Sequence, residues 1–253
     1  MSTAIVIAFA INLGLGVLLG ALGGMLGIGG GLVAIPILGV LYGMDQHLAQ
    51  GTALVMILPN VLTGFWRYHQ RTPVDFRALT WMIVLSIVAA ALAAHFASTI
   101  GADQLRRAFA VFLLALAGYF LWLLRARPAM HATARLPLPW TPAVGVISGF
   151  MSGLFTIGGG LVSVPALVSL FGMRQTQAQG IAMALVIPAS VTALISYTQA
   201  GNVDWSVGIP LALGGLTSVS WGVALAFRMP ALPLRLCFCA VLVGTAAVML
   251  VRG

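Results

Sequence analysis

Eight apolar runs set what this chain can fold into: residues 3–42, 48–65, 78–96, 108–124, 142–171, 178–198, 207–227 and 236–251. A helical bilayer crossing takes about 20 residues, and six of the runs have the length of one helix each. Charged residues make up only 6% of the chain, against about 25% in soluble domains. Too few polar residues remain to coat a water-facing surface. The chain reads as an all-α integral membrane protein.

The runs 3–42 and 142–171 do not fit one helix each. Both contain a glycine cluster, GGMLGIGGGLVAIP at 23–36 and SGLFTIGGGLVSVP at 152–165. The part after the cluster, 32–42 or 161–171, is 11 residues, about 17 Å of helix and roughly half a bilayer core. Each run is therefore predicted as a helix, a glycine break and a short half-helix. Asp75 in TPVDFRAL and Asp204 in GNVDWSVG precede apolar runs, where a carboxylate accepts the free N–H groups of a helix start. Pro59 and Pro188 are expected to bend their helices.

All 12 basic residues are arginine, against four aspartates. They stand singly or in pairs in short loops, with no basic stripe or aromatic interleaving of the kind that binds nucleic acid, and they read as topology signals. Cys237 and Cys239 lie inside an apolar run without metal-ligand company and read as lipid-facing or packing residues. The first apolar segment lacks a positive flank before it and is expected to be retained.

A shift of 129 residues superimposes the two halves without a gap. Ile28–Val33 falls on Ile157–Val162, Pro36 on Pro165, Gln50-Gly51 on Gln179-Gly180, Pro59 on Pro188, Tyr68 on Tyr197 and Leu105-Arg106 on Leu234-Arg235. Between 23–60 and 152–189, 18 of 38 positions are identical. The chain is a tandem duplication, with a first repeat at 1–124, a linker at 125–139 expected in the cytoplasm, and a second repeat at 140–253. If each broken run returns to the side it came from, three full crossings remain per repeat and the repeats are inverted. The arginines then divide nine to three between the two sides; if each broken run crosses once, they divide seven to five. The positive-inside rule favours inversion. The loop at 65–77 holds three arginines and its partner at 194–206 holds none, which inversion explains. The expected fold is thus two inverted-topology repeats, each a glycine-broken helix/half-helix hairpin plus three full transmembrane helices.

Short, glycine-interrupted segments at matching positions of inverted repeats point to a transporter's binding site. A helix start leaves N–H groups unpaired and carries about half a positive charge, and glycine lets an anion approach those groups. Gly27, Gly29, Gly30 and Gly31, with Gly158, Gly159 and Gly160, are therefore candidate substrate-lining residues. Gly16, Gly20 and Gly24, repeated at Gly145, Gly149 and Gly153, have the spacing of a close helix-packing face instead. Gln50 and Gln179, uncharged donors at matched positions, and nearby Thr52 and Thr156 complete the candidate set. No catalytic triad, metal cluster, acid–base pair or ATP-binding motif accompanies them, so the chain is expected to be a non-enzyme without cofactor.

The paired elements GIGGGLVAIP and TIGGGLVSVP, each followed by a Gly-Met and an Ala-Gln-Gly, resemble the TauE/SafE family of membrane permeases, the sulfite exporter family. The resemblance implies a multi-pass carrier of the bacterial inner membrane that exports small sulfur-containing or organic anions such as sulfite, sulfonate or sulfoacetate. It further implies coupling to an ion gradient. The sequence departs from its own first repeat at Thr156, which stands where the first motif has Gly27, so the two halves of the site differ chemically. The implied partners are a small anion, a coupling proton or sodium ion, the lipid bilayer and a second copy of the chain in a homodimer, without nucleic acid. Competing readings are an anion channel or facilitator of the same architecture, or an importer of a small organic acid.

Overall fold

The computed structural model describes residues 2–72, 76–125, 137, 140–155 and 159–251. Asp75, Thr156, Gly158 and nearly all of the 125–139 linker lie outside the described residues. Regular structure among the described residues is helical: α1 Ser2–Leu26, α2 Gly31–Tyr42, α3 Gln46–Arg71, α4 Phe76–Thr99, α5 Ala102–Arg125, α6 Thr141–Phe155, α7 Gly160–Phe171, α8 Gln175–Gln199, α9 Trp205–Arg228 and α10 Ala231–Val251. Among the described residues, five segments are long and apolar enough to cross a membrane: Ile5–Leu26, Gln46–Arg71, Leu79–Ala97, Gln175–Gln199 and Trp205–Arg228. Large apolar side chains such as Leu92, Val111 and Trp221 face outward, as a lipid-facing surface requires.

Both glycine runs end one helix and start a short one. The half-helices α2 and α7 are 12 residues each, one more than expected, because Gly31 and Gly160 form their first residues. Gly27 ends α1 with φ +75°, a left-handed conformation open to glycine. The N–H groups of Gly27, Ile28 and Gly29 then converge on the Gly23 carbonyl at 3.0, 3.1 and 3.3 Å. The chain reverses here. A Cβ on Gly30 would stand 2.6 Å from the Leu19 carbonyl, and Tyr42 at the far end of α2 donates to Asn12 Oδ1 at 2.6 Å, so α2 runs back along α1. In the second repeat, Gly159 and Ser163 both meet Ser148 of α6, two turns before that helix ends.

The long helices pair reciprocally between repeats. A Cβ on Gly16, Gly20 or Gly24 of α1 would overlap Leu211, Gly215 or Val219 of α9. One on Gly145, Gly149 or Gly153 of α6 would overlap Met82, Ser86 or Ala90 of α4. Every residue in the second set is 129 positions from its counterpart in the first. The small-residue faces read from the sequence are therefore backbone contact surfaces, and α1 and α6 each lie along a helix of the other repeat.

The turns gather at two ends. Gly51, near the start of α3, abuts the Asn202 carbonyl of the α8–α9 turn, and His47 Nε2 lies 3.2 Å from the Ile100 carbonyl of the α4–α5 turn. At the other end, Tyr68 and Arg71 of α3 pack on Phe227 of α9, with ring centroids 5.4 Å apart and the guanidinium 4.8 Å above the ring. Asp45 and Asp204 cap the helices they precede, accepting from Leu48 N at 2.9 Å and from Ser206 N at 2.9 Å.

Candidate functional site

The centre of the bundle is formed by α3 and α8 with the glycine breaks laid against them. Residues 23–32 are all buried. A Cβ on Gly29 would meet Val61 and Ile57 of α3, and one on Gly27 would stand 2.7 Å from Cγ of Gln179 in α8. Gly160, the first residue of α7, faces the other break: its Cβ would lie 3.1 Å from the Gly27 carbonyl and 3.3 Å from Ile28. The structure thus brings the described parts of both breaks together, along with one of the two glutamines.

The backbone donors are not equivalent. The N–H groups of Gly27 and Gly29 are occupied by the Gly23 carbonyl. The helical ladder of α2 starts with Val33 and Ala34 donating to Gly30, at 3.3 and 3.2 Å, and that of α7 with Val162 and Ser163 donating to Gly159, at 3.1 and 2.7 Å. The first amides of each half-helix, Gly31-Leu32 and Gly160-Leu161, are the groups a helix start leaves without a carbonyl partner. The donor capacity expected across the whole glycine run is concentrated at these two starts.

The glutamines differ in the same way. Gln179 is fully engaged: Nε2 donates to the Met25 carbonyl at 3.1 Å, and Oε1 accepts from Tyr68 Oη at 3.0 Å. Gln50, at 0% exposure, accepts from Tyr197 Oη, and its Nε2 has no hydrogen-bond partner among the described residues. Thr52 is occupied structurally, accepting from Asp204 N at 2.9 Å. Sequence reasoning missed the roles of Tyr68 and Tyr197, although their match at the 129-residue offset was the available signal. It also missed Asn60, wholly buried, whose Nδ2 makes a long 3.5 Å contact to the Gly29 carbonyl and whose Oδ1 has no partner.

A multi-pass helical bundle with buried, glycine-broken half-helices and polar groups at its centre has the architecture of a membrane transporter. The family model for the sulfite exporter TauE/SafE matches residues 12–249, and the chain belongs to that family. It is 29% identical over 227 residues to a probable membrane transporter protein of Xylella fastidiosa, covering 87% of this chain and 86% of the relative. A probable membrane transporter protein of Bacillus subtilis, YunE, is 25% identical over 245 residues, covering 88% and 90%. One from Methanocaldococcus jannaschii is 30% identical over 210 residues, covering 78% and 77%. No solved structure matches the chain.

Proposed function

We propose that the chain is a secondary transporter of the bacterial inner membrane, built of two inverted repeats. It exports a small sulfur-containing or organic anion, of the sulfite, sulfonate or sulfoacetate class, through a site between the two glycine breaks. The observation that carries this reading is the meeting of the two breaks, where a Cβ on Gly160 would lie 3.1 Å from the Gly27 carbonyl. Towards the other end of the α3–α8 pair the Gln50 amide is wholly buried with a donor that meets no acceptor among the described residues, while its twin Gln179 spends the same donor on the backbone. A buried donor left unmade costs about 1–3 kcal/mol, and an anion is the ligand that would satisfy it. The starts of α2 and α7 add free amides and partial positive charge. Inversion is supported by the antiparallel cross-links of α3 and α8: Tyr68 meets Gln179 and Tyr197 meets Gln50.

Burial of the first break favours a carrier that opens to one side at a time over a standing pore. The aspartates Asp45 and Asp103 are exposed and sit at helix ends, so coupling falls to a proton carried on the substrate or to a sodium ion held by carbonyl oxygens. The test is flux into proteoliposomes of labelled sulfite, ethanesulfonate, sulfate and acetate, under imposed proton or sodium gradients. Sulfite or sulfonate uptake that shows counterflow supports the reading. Uptake without counterflow would make the protein a channel, and no uptake of any of the four would remove the anion assignment.

A further inference from the structure

A cavity of about 180 Å³ opens away from the glycine breaks, where the end of α2 meets the start of α3. Ile35, Pro36, Met44 and Ala49 give it an apolar wall, and two polar side chains line it, Gln46 and Arg106. Gln46 is 6% exposed and its Nε2 has no hydrogen-bond partner. Arg106 Nη2 lies 3.1 Å from Asp103 Oδ1, but that carboxylate is 77% exposed. Such a surface pair is weak, and a guanidinium has five donors to distribute. A cationic side chain and a buried amide beside one cavity, with apolar residues next to them, suit the acceptor oxygens of a small anion with an apolar body.

The other repeat sharpens the point. Pro36, Met44, Gln46, Ala49 and Arg106 have identical residues 129 positions on, at Pro165, Met173, Gln175, Ala178 and Arg235. Four lining positions differ. Ile35, Gly39, Val40 and Val248 correspond to Val164, Val168, Ser169 and Tyr119. Tyr119 of α5 and Ser169 of α7 are hydrogen-bonded at 3.0 Å, spanning the gap that Val248 of α10 and Val40 of α2 leave open. Where one end of the bundle has Val248 beside the cavity, the other has the Tyr119–Ser169 pair.

We propose that this cavity is a second small-anion site, distinct from the central one, at the end of the bundle carrying the α2–α3 and α4–α5 turns. It takes a monoanion with a short apolar tail, an alkyl sulfonate or carboxylate. The head group lies between Arg106 and Gln46, and the tail lies on Ile35, Pro36 and Met44. The volume equals roughly six waters' share of liquid, which limits the ligand to a few heavy atoms beyond its head group. The site stands whether or not the glycine breaks bind an anion.

The experiment is calorimetric titration of the purified full chain in detergent with sodium 1-butanesulfonate. Arg106→Gln and Gln46→Met are each expected to weaken binding about tenfold or more. Val248→Tyr, at a position 41% exposed, installs the residue found in the other repeat and is expected to abolish binding at this site, removing one class of binding from the titration, with the melting temperature unchanged. Gly160→Ala, altered at the central site, is expected to keep the class of binding that Val248→Tyr removes. Undiminished binding in folded Val248→Tyr overturns the proposal, as does loss in Gly160→Ala alone, which would assign the ligand to the glycine breaks. Should Arg106→Gln or Gln46→Met fail to fold, Val248→Tyr decides.

Discussion

Tyr68 in α3 donates its hydroxyl to Gln179 in α8 at 3.0 Å, and the same bond recurs with the helices exchanged, from Tyr197 in α8 to Gln50 in α3. Two antiparallel helices are thereby tied near both ends by chemically identical pairs. Tyr68 also reaches the Gly24 carbonyl at 3.1 Å, so its end of the tie includes the first broken helix. The two ends differ in what the glutamine does with its second group, and that difference is where structure separates from function.

Removal of either hydroxyl is expected to weaken the bundle. Tyr68→Phe and Tyr197→Phe should each destabilise by about 0.6–1.7 kcal/mol, the range for interhelical hydrogen bonds within membranes. Tyr68→Phe should have the larger effect, because its oxygen serves two acceptors. Thermal unfolding in detergent checks the order; a larger loss in Tyr197→Phe would reverse the assignment.

Topology follows from the ends of α3. Arg71 closes its 26 residues, about 39 Å of helix, while Asn202 abuts Gly51 near its start. Single cysteines placed at 71 and 202, with Cys237 and Cys239 replaced by alanine, should label from opposite sides of the membrane. By the positive-inside rule, position 71 is expected on the cytoplasmic side. Labelling of both positions by an impermeant reagent added to intact cells would remove the inverted arrangement.

The packing glycines make a sharper contrast. A Cβ at Gly149 would overlap the Ser86 backbone, whereas one at Gly118 has nothing within 4 Å. Gly149→Ala should therefore destabilise by about 1–3 kcal/mol, the cost of forcing atoms into a packed interface. Gly118→Ala should be neutral or stabilising, since alanine favours a helix interior. Equal melting temperatures for the two variants would mean that α4 and α6 separate easily.

Much of this was legible in residue order. The half-helices followed from counting 11 apolar residues after each glycine cluster, and the backbone faces of Gly16 and Gly145 followed from four-residue spacing. Gln50 and Gln179 were visible as matched polar residues in apolar runs. Their unequal fates were not, because identical residues promise identical bonds. The difference depends on where the carbonyl of Met25 ends up relative to α8. Nor could spacing show that Gly27 and Gly29 turn their amides inward onto one carbonyl, which depends on left-handed dihedrals at three glycines. The cavity at Gln46 was invisible for a related reason: its walls are small or apolar residues of α2 and α10, and emptiness leaves no motif.

The central site is best tested where a substitution leaves the turn intact. Gly30→Ala is a poor probe, because φ is +93° there and the new Cβ would press on Leu19. Gly159→Ala would overlap Ser148. Either would lose binding through misfolding alone. Gly160 offers a contact of 3.1 Å to the Gly27 carbonyl and no positive φ, so Gly160→Ala should reduce anion binding with a small loss of stability. Gln50→Glu goes further: its carboxyl group still meets Tyr197, but the unpartnered amide donor is gone. Loss of one hydrogen bond to a charged group is worth about 1.5–3 kcal/mol, so affinity for sulfite should fall about ten- to a hundredfold with little change in melting temperature. Gln179→Glu, which breaks the bond to Met25, should instead lower the melting temperature. Unchanged sulfite binding by Gln50→Glu, alongside a normal melting curve, would mean that the buried donor at Gln50 serves no substrate.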